Sequence, residues 1–317
     1  MKIVVLDGFT VAQNDLSWSV LNDIADVDVY DRTAPDDVVE RCKGAEMVLT
    51  NKVVLDASVL KLLPRLMYIG VLATGYNVVD LEVANSQNIT VTNIPAYSTR
   101  SVAQLVFAHL LNIVNRVDYY ADANRKGRWC DCEDFCYLDH KLVELAGKRF
   151  GIVGLGNIGM EVACIASAFG MDVVAYTSKR GDLPYGIKSV SLDELFATSD
   201  VVSLHCPLTD DTRHLVNAQR LNVMKSSAII INTGRGPLVD DVELAWALNN
   251  DTIQAYAADV LTVEPAQKDN PLIAAKNCFL TPHIAWASVE ARQRLMSICV
   301  ENIKAFLDGK PVNVVGV

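Results

Sequence analysis

The sequence predicts an α/β protein built from two doubly wound, parallel-sheet domains. Three observations carry that expectation: strand-like apolar runs alternate with helical segments before residue 100, a long helical stretch follows at 101–120, and a second alternating run opens on Gly154-Leu155-Gly156-Asn157-Ile158-Gly159. Strands that alternate with helices pair in parallel and are covered on both faces. A chain of 317 residues is long enough for two such layers.

In chain order, residues 1–7, 27–30, 47–50, 66–72 and 89–92 read as apolar strands, with helical segments at 16–24 and 38–42. Asn93-Ile94-Pro95 closes this first run. Val102, Leu105, Val106, Leu110, Ile113 and Val117 then recur at helical spacing, so one helix is expected from 101 to about 120 as a connector into the second domain. Strands are expected next at 172–176, 201–204, 228–232, 255–259 and 279–281. A closing helix is expected over 289–307, where Ala291, Leu295, Ile298 and Phe306 share a side and Gly309 and Pro311 mark the end.

The fingerprint sits where a phosphate-binding turn belongs, after the apolar run Phe150-Gly151-Ile152-Val153 and before a helical pattern through Val162, Ile165, Ala166 and Phe169. Gly154 permits the tight turn, Gly156 lets backbone approach a pyrophosphate, and Gly159 lets the helix lie close on its strand. The N–H groups of Asn157 and Ile158 and the helix dipole favour an anion at that terminus without a lysine. A dinucleotide cofactor is therefore expected here.

Composition excludes other classes. The net charge of −10 leaves no basic stripe to displace counterions from a nucleic acid. No apolar run reaches the length of a membrane span, and the first residues read as a strand rather than a cleavable signal. The eight cysteines lie mostly scattered in apolar segments, which fits reduced thiols and a cytoplasmic protein. Cys130, Cys132, Cys136 and His140 stand close enough in sequence to hold zinc, but their spacing lacks the Cys-x-x-Cys knuckle. With Trp129, Phe135 and Tyr137 beside them they read as a partly buried surface loop, and no metal is expected.

Three further segments place polar residues just past apolar strands: Asn232-Thr233-Gly234-Arg235-Gly236-Pro237, Asp259-Val260-Leu261-Thr262-Val263-Glu264-Pro265 and Leu280-Thr281-Pro282-His283-Ile284-Ala285-Trp286. Ligands of open α/β sheets bind outside the carboxyl ends of the strands, so Arg235, Glu264 and His283 are expected to converge near the nucleotide. Taken singly they also read as a surface arginine, a loop acid and a capping histidine.

In this order, and together with Ala73-Thr74-Gly75-Tyr76-Asn77-Val78-Val79-Asp80, Ser101-Val102-Ala103, Glu144-Leu145-Ala146-Gly147-Lys148 and His205-Cys206-Pro207-Leu208, the segments resemble the D-isomer-specific 2-hydroxyacid dehydrogenases over nearly the whole chain. Within that family, residues 73–80 and 282–286 are similar to the glycerate dehydrogenases, also called hydroxypyruvate reductases. The resemblance implies a Rossmann dinucleotide-binding domain, residues 100–284, inserted into a flavodoxin-like substrate domain made of 1–99 and 285–317. It implies an active site in the cleft, hydride transfer between NAD(P)H and a small 2-keto acid such as hydroxypyruvate or glyoxylate, and a homodimer formed through the nucleotide domain.

It also implies roles. His283 is the acid and base, as an imidazole exchanging protons near neutral pH can be. Glu264 orients it, and Arg235 binds the substrate carboxylate and the oxygen that gains charge. The backbone of Thr74 and Gly75 holds the substrate's other end. Val102, Cys206, Pro207, Thr212, Thr233, Asp259 and His283 line the cofactor, Asp259 on the nicotinamide side.

One departure bears on the cofactor. Tyr176-Thr177-Ser178-Lys179-Arg180 stands where many NAD-using relatives carry an aspartate for the ribose 2′-hydroxyl. Either these cations face solvent and NAD(H) is used, or Thr177, Ser178, Lys179 and Arg180 accept a 2′-phosphate, which tilts the expectation modestly toward NADP(H). Val71 and Leu72 stand where phosphoglycerate-using relatives often carry an arginine, and no regulatory C-terminal domain is expected, so an unphosphorylated substrate is expected. Lys52 reads as a solvated surface residue or one facing the cleft and is not assigned to catalysis. The rival reading is a nucleotide-sensing, corepressor-like binding protein on the same fold, since fold alone does not fix function.

Overall fold

A computed structural model of the chain describes residues 1–13 and 15–316; Asn14 and Val317 fall outside that description. The chain divides into two units, Met1–Ser98 with Trp286–Val317, and Thr99–Ala285.

In the first unit, β1 (Lys2–Val5), β2 (Asp26–Val29), β3 (Met47–Thr50), β4 (Tyr68–Val71) and β5 (Thr90–Thr92) form one parallel sheet in the order β2-β1-β3-β4-β5. This is the flavodoxin-like order. Every residue of β3 and β4 is buried, as expected of strands covered on both faces. The helix Val289–Leu307 supplies one cover, burying Ala291, Leu295, Cys299 and Ile303 against Ile3, Val5, Met47 and Tyr68. Each large apolar side chain so buried contributes about 1.5–3 kcal/mol. The helix is keyed in place by Arg292, whose guanidinium grips the Asp15 carboxylate and donates to the Val11 carbonyl.

The second unit holds β6 (Arg149–Val153), β7 (Asp172–Tyr176), β8 (Lys188–Ser189), β9 (Val201–Leu204), β10 (Ile229–Asn232), β11 (Ala255–Ala258) and β12 (Cys278–Leu280). They form a parallel sheet in the order β12-β11-β10-β9-β6-β7-β8. Successive strands are added on one side of β6 and then on the other, with every strand parallel, which makes the β6/β9 junction the topological switch of a Rossmann sheet. The helix Thr99–Asn115 lies on one face, where Phe107 stacks on Phe150 and Phe169 at 6.0 and 5.5 Å.

Two expected helices differ. The stretch 101–120 is two helices, Thr99–Asn115 and Val117–Arg125, broken at Arg116 with φ +52°. The Arg116 guanidinium donates to Asn277 and lies 5.1 Å over the Phe279 ring, interactions that accompany the break. The stretch 16–24 is only the 3₁₀ turn Trp18–Leu21, capped by the Ser17 hydroxyl and anchored by the Trp18 indole donating to the Gly8 carbonyl. Among the described residues, no helix is long and apolar enough to cross a membrane.

Candidate active site

The fingerprint turn joins β6 to the helix Asn157–Ala168. Gly154 has φ +94°, and a Cβ there would meet the His205 carbonyl at 2.8 Å; a Cβ on Gly159 would stand 2.2 Å from the Gly154 oxygen. Both positions therefore require glycine. A Cβ on Gly156 meets nothing within 4 Å, so glycine there is not demanded by the protein's own packing. The N-cap residue, Gly156, has no side chain to cap the helix, which leaves N-terminal N–H groups to a ligand. The Thr233 hydroxyl, just past β10, is buried without a hydrogen-bond partner among the described residues. These features fit a dinucleotide held by the Gly154–Gly159 turn, with Thr233 in the same unit of the chain.

Around the turn, Cys206 is half-buried and Pro207 exposed, and burial pushes the Cys206 thiol up. Thr212 donates to the Pro207 carbonyl at 2.8 Å and accepts from the Thr209 N–H at 2.7 Å, pinning that loop. Val102 is buried on the helix Thr99–Asn115. After β7, the Lys179 N–H donates to the Thr177 hydroxyl at 3.2 Å, while Ser178, Lys179 and Arg180 are exposed.

His205 packs beneath the turn, its N–H donating to the Val153 carbonyl and its ring bonded to the Ser203 hydroxyl at 2.8 Å. Burial pushes its pKa from 6.5 down to about 4. Between those two values the unfolded chain binds more protons than the folded one. The stabilisation is complete above pH 6.5 and is lost as pH falls through about 4. Melting temperatures measured across this window should fall with acidity, and His205→Asn should flatten the fall; an unchanged slope would show that the imidazole does not contribute.

The three polar segments follow adjacent strands. Arg235 lies exposed after β10, with its guanidinium donating to the Gly234 carbonyl at 2.8 Å and its own carbonyl accepting from Asn232 at 2.9 Å. Gly236 presses on the Leu261 backbone so closely that a Cβ would come within 2.0 Å, which docks the arginine loop on the segment leading to Glu264. Glu264 accepts from the Leu261 N–H at 3.1 Å through one oxygen and meets His283 Nδ1 at 2.5 Å through the other. His283 has φ +55°, an uncommon conformation for a residue with a side chain.

Asp259, expected on the nicotinamide side of a cofactor, is 1 % exposed and has both oxygens engaged within the protein. They accept from the Thr281 hydroxyl at 2.6 Å, the Ile284 N–H at 2.9 Å and the Ala285 N–H at 2.7 Å. The aspartate thus clamps the loop on both sides of His283. Residue spacing gave no sign of this, because the bonded positions lie 22 to 26 residues away.

In the first unit, the Thr74 hydroxyl donates to the Ile94 carbonyl at 2.9 Å and the Thr74 carbonyl accepts from Asn93 at 2.7 Å, fixing the loop that Gly75 continues. Lys52 is exposed, and its backbone N–H donates to the buried Asp7 carboxylate at 2.7 Å. The cysteine loop is more open than expected: Phe135 is 89 % and Trp129 54 % exposed. The loop folds on itself through the Trp129 indole and the Phe135 carbonyl, so the rings are not drawn under other elements. Among the described residues, no group of three or more His, Cys, Asp or Glu side chains is placed to hold a metal.

Residues 107–285 match the family model described as D-isomer specific 2-hydroxyacid dehydrogenase, NAD binding domain. The chain is 44% identical to a hydroxypyruvate reductase of Blautia hydrogenotrophica, covering 99% of each chain. It is 42% identical to a glycerate dehydrogenase of Methylorubrum extorquens, covering 90% of each. Among solved structures, an acyclic imino acid reductase in complex with NADPH and D-Arg superposes with a TM-score of 0.86 at 31% identity, over 99% of this chain and 100% of that one.

Proposed function

The chain belongs to the D-isomer-specific 2-hydroxyacid dehydrogenases, and from that premise we propose that it reduces hydroxypyruvate to D-glycerate, and glyoxylate less selectively, with the reverse oxidation available. The observation that carries the reading is the 2.5 Å contact between His283 and Glu264, in the same unit as the glycine turn.

A nicotinamide cofactor, when bound, would supply the hydride. His283 gives the keto oxygen its proton; with Nδ1 held by Glu264, that transfer falls to Nε2. The carboxylate keeps the ring oriented. Arg235 binds the substrate carboxylate and the oxygen as charge grows on it. The backbone N–H groups of Thr74 and Gly75 hold the substrate's other end. Steady-state rates for hydroxypyruvate, glyoxylate, pyruvate and 3-phosphohydroxypyruvate test the assignment: hydroxypyruvate should have the highest kcat/KM, and preference for the phosphorylated acid would overturn it.

The cofactor preference is part of the proposal. The family uses NAD(H), and the turn Thr177-Ser178-Lys179-Arg180, exposed from Ser178 onward, supports use of NADP(H) as well, with a modest preference for it. It lacks the carboxylate that would repel a 2′-phosphate, and its cations can add charge-assisted bonds. Thr177→Asp should shift the kcat/KM ratio toward NADH, and Lys179→Ala with Arg180→Ala should weaken NADPH alone. A strongly NADH-specific wild type whose ratio these variants leave unmoved would assign the cations to solvent.

A homodimer completes the reading. Val117, Trp129, Phe135 and Leu138, 54 to 89 % exposed on one stretch of the nucleotide-binding unit, support it, since large apolar side chains concentrated in one exposed segment suit a protein interface. The cytoplasm suits the reaction, where nicotinamide cofactors meet metabolites and thiols stay reduced.

A further inference from the structure

The helix Thr99–Asn115 carries an unexpected polar residue on its covered side. His109 is 7 % exposed, and its Nε2 lies 3.2 Å from the Thr281 hydroxyl. That hydroxyl has one proton, already donated to Asp259 at 2.6 Å. Its oxygen therefore accepts from His109, which fixes the histidine as the Nε2–H tautomer. Burial lowers the His109 pKa and so favours the neutral ring that this geometry needs. A continuous line results: His109 to Thr281, Thr281 to Asp259, and Asp259 to the N–H groups of Ile284 and Ala285.

We infer that His109 is a positioning residue for His283, acting through Thr281 and Asp259. The inference rests on the reading of His283 as the acid. His283 occupies φ +55°, and such a conformation persists only where the surroundings over-determine it. Asp259 supplies that determination through its bonds on both sides of the histidine. One of its oxygens, however, is shared between the Thr281 hydroxyl and the Ile284 N–H. With its oxygen held by His109, the Thr281 hydroxyl points its proton at the carboxylate; without His109 it is free to rotate toward another acceptor. The Ala258 carbonyl, 3.5 Å away, is one. A donor at position 109 thus keeps the clamp in register with the catalytic ring.

The test compares His109→Leu, which has no donor, with His109→Gln, whose amide can donate, and with Asn112→Leu one turn along the helix as a control. Two readouts are taken: steady-state kinetics with hydroxypyruvate, and amide hydrogen exchange of Ile284 and Ala285. His109→Leu should lower kcat and kcat/KM together by about five- to tenfold, the size of one lost hydrogen bond, and speed exchange at both amides. His109→Gln should recover most of both, and Asn112→Leu should change neither. Thr281→Val breaks the same line at its next link and should reproduce His109→Leu, which keeps the inference open to refutation if the leucine variant fails to fold. A His109→Leu protein that melts earlier yet keeps wild-type kcat and wild-type exchange would overturn it, as would failure of His109→Gln to recover either readout. A wild type that turns over no 2-keto acid would instead overturn the reading of His283, while the exchange data would still decide whether His109 holds the loop.

Discussion

His283→Ala should lower kcat for hydroxypyruvate reduction by at least about 100-fold and leave dinucleotide binding nearly unchanged. A positioned proton donor contributes roughly 10²- to 10⁴-fold, and alanine at this position has no group to exchange a proton with the keto oxygen. The glycine turn is not altered by the substitution. The loop also keeps its shape, because Asp259 holds it by the Thr281 hydroxyl and by backbone N–H groups of Ile284 and Ala285 rather than through the imidazole. Fluorescence titration with the reduced cofactor, run beside the kinetic assay, separates lost chemistry from lost binding. Near-normal turnover would remove His283 from the acid's role.

Arg235→Lys should lower kcat/KM by about tenfold or more although the charge is conserved. A guanidinium presents a planar fork that can hold a carboxylate while one N–H anchors the side chain, as the 2.8 Å bond to the Gly234 carbonyl does here. An ammonium has neither the fork nor a fixed plane. A hydrogen bond to a charged group is worth roughly 1.5 to 3 kcal/mol, which sets the scale of the loss. If the arginine also meets the charge that grows on the keto oxygen, kcat falls along with kcat/KM; a rise in KM alone would confine it to ground-state binding. Unchanged kinetics would make it a structural residue.

Much of the fold was legible because parallel strands buried on both faces leave continuous apolar runs. The strands at 47–50, 172–176 and 201–204 and the helix at 289–307 have the bounds that pattern assigns. Pattern failed where a tertiary contact decides the backbone. Nothing local marks Arg116 as left-handed, since the break is accompanied by bonds to Asn277 and Phe279, far along the chain. Strand β8 has two exposed residues at a sheet edge and no apolar run to reveal it.

The site divides along the same line. The glycine turn announces itself because its demands are local: a positive φ at Gly154 and a close approach at Gly159. Glu264 and His283 were expected to converge because each follows the carboxyl end of a strand, but their pairing came from family resemblance, since a separation of 19 residues implies no distance. The parts that neither route supplied are the Asp259 clamp and its extension to His109, 172 residues from Thr281. Helical spacing reads the positions beside His109, Val106 and Leu110, as core, and gives the histidine between them no role.

The stereochemistry of the product tests the central claim most directly. If this chain is a D-isomer-specific reductase of hydroxypyruvate, with hydride and proton delivered by one fixed arrangement of cofactor and His283, chiral chromatography of the completed reaction should show D-glycerate alone. L-glycerate, a mixture of the two isomers, or no glycerate at all would contradict it.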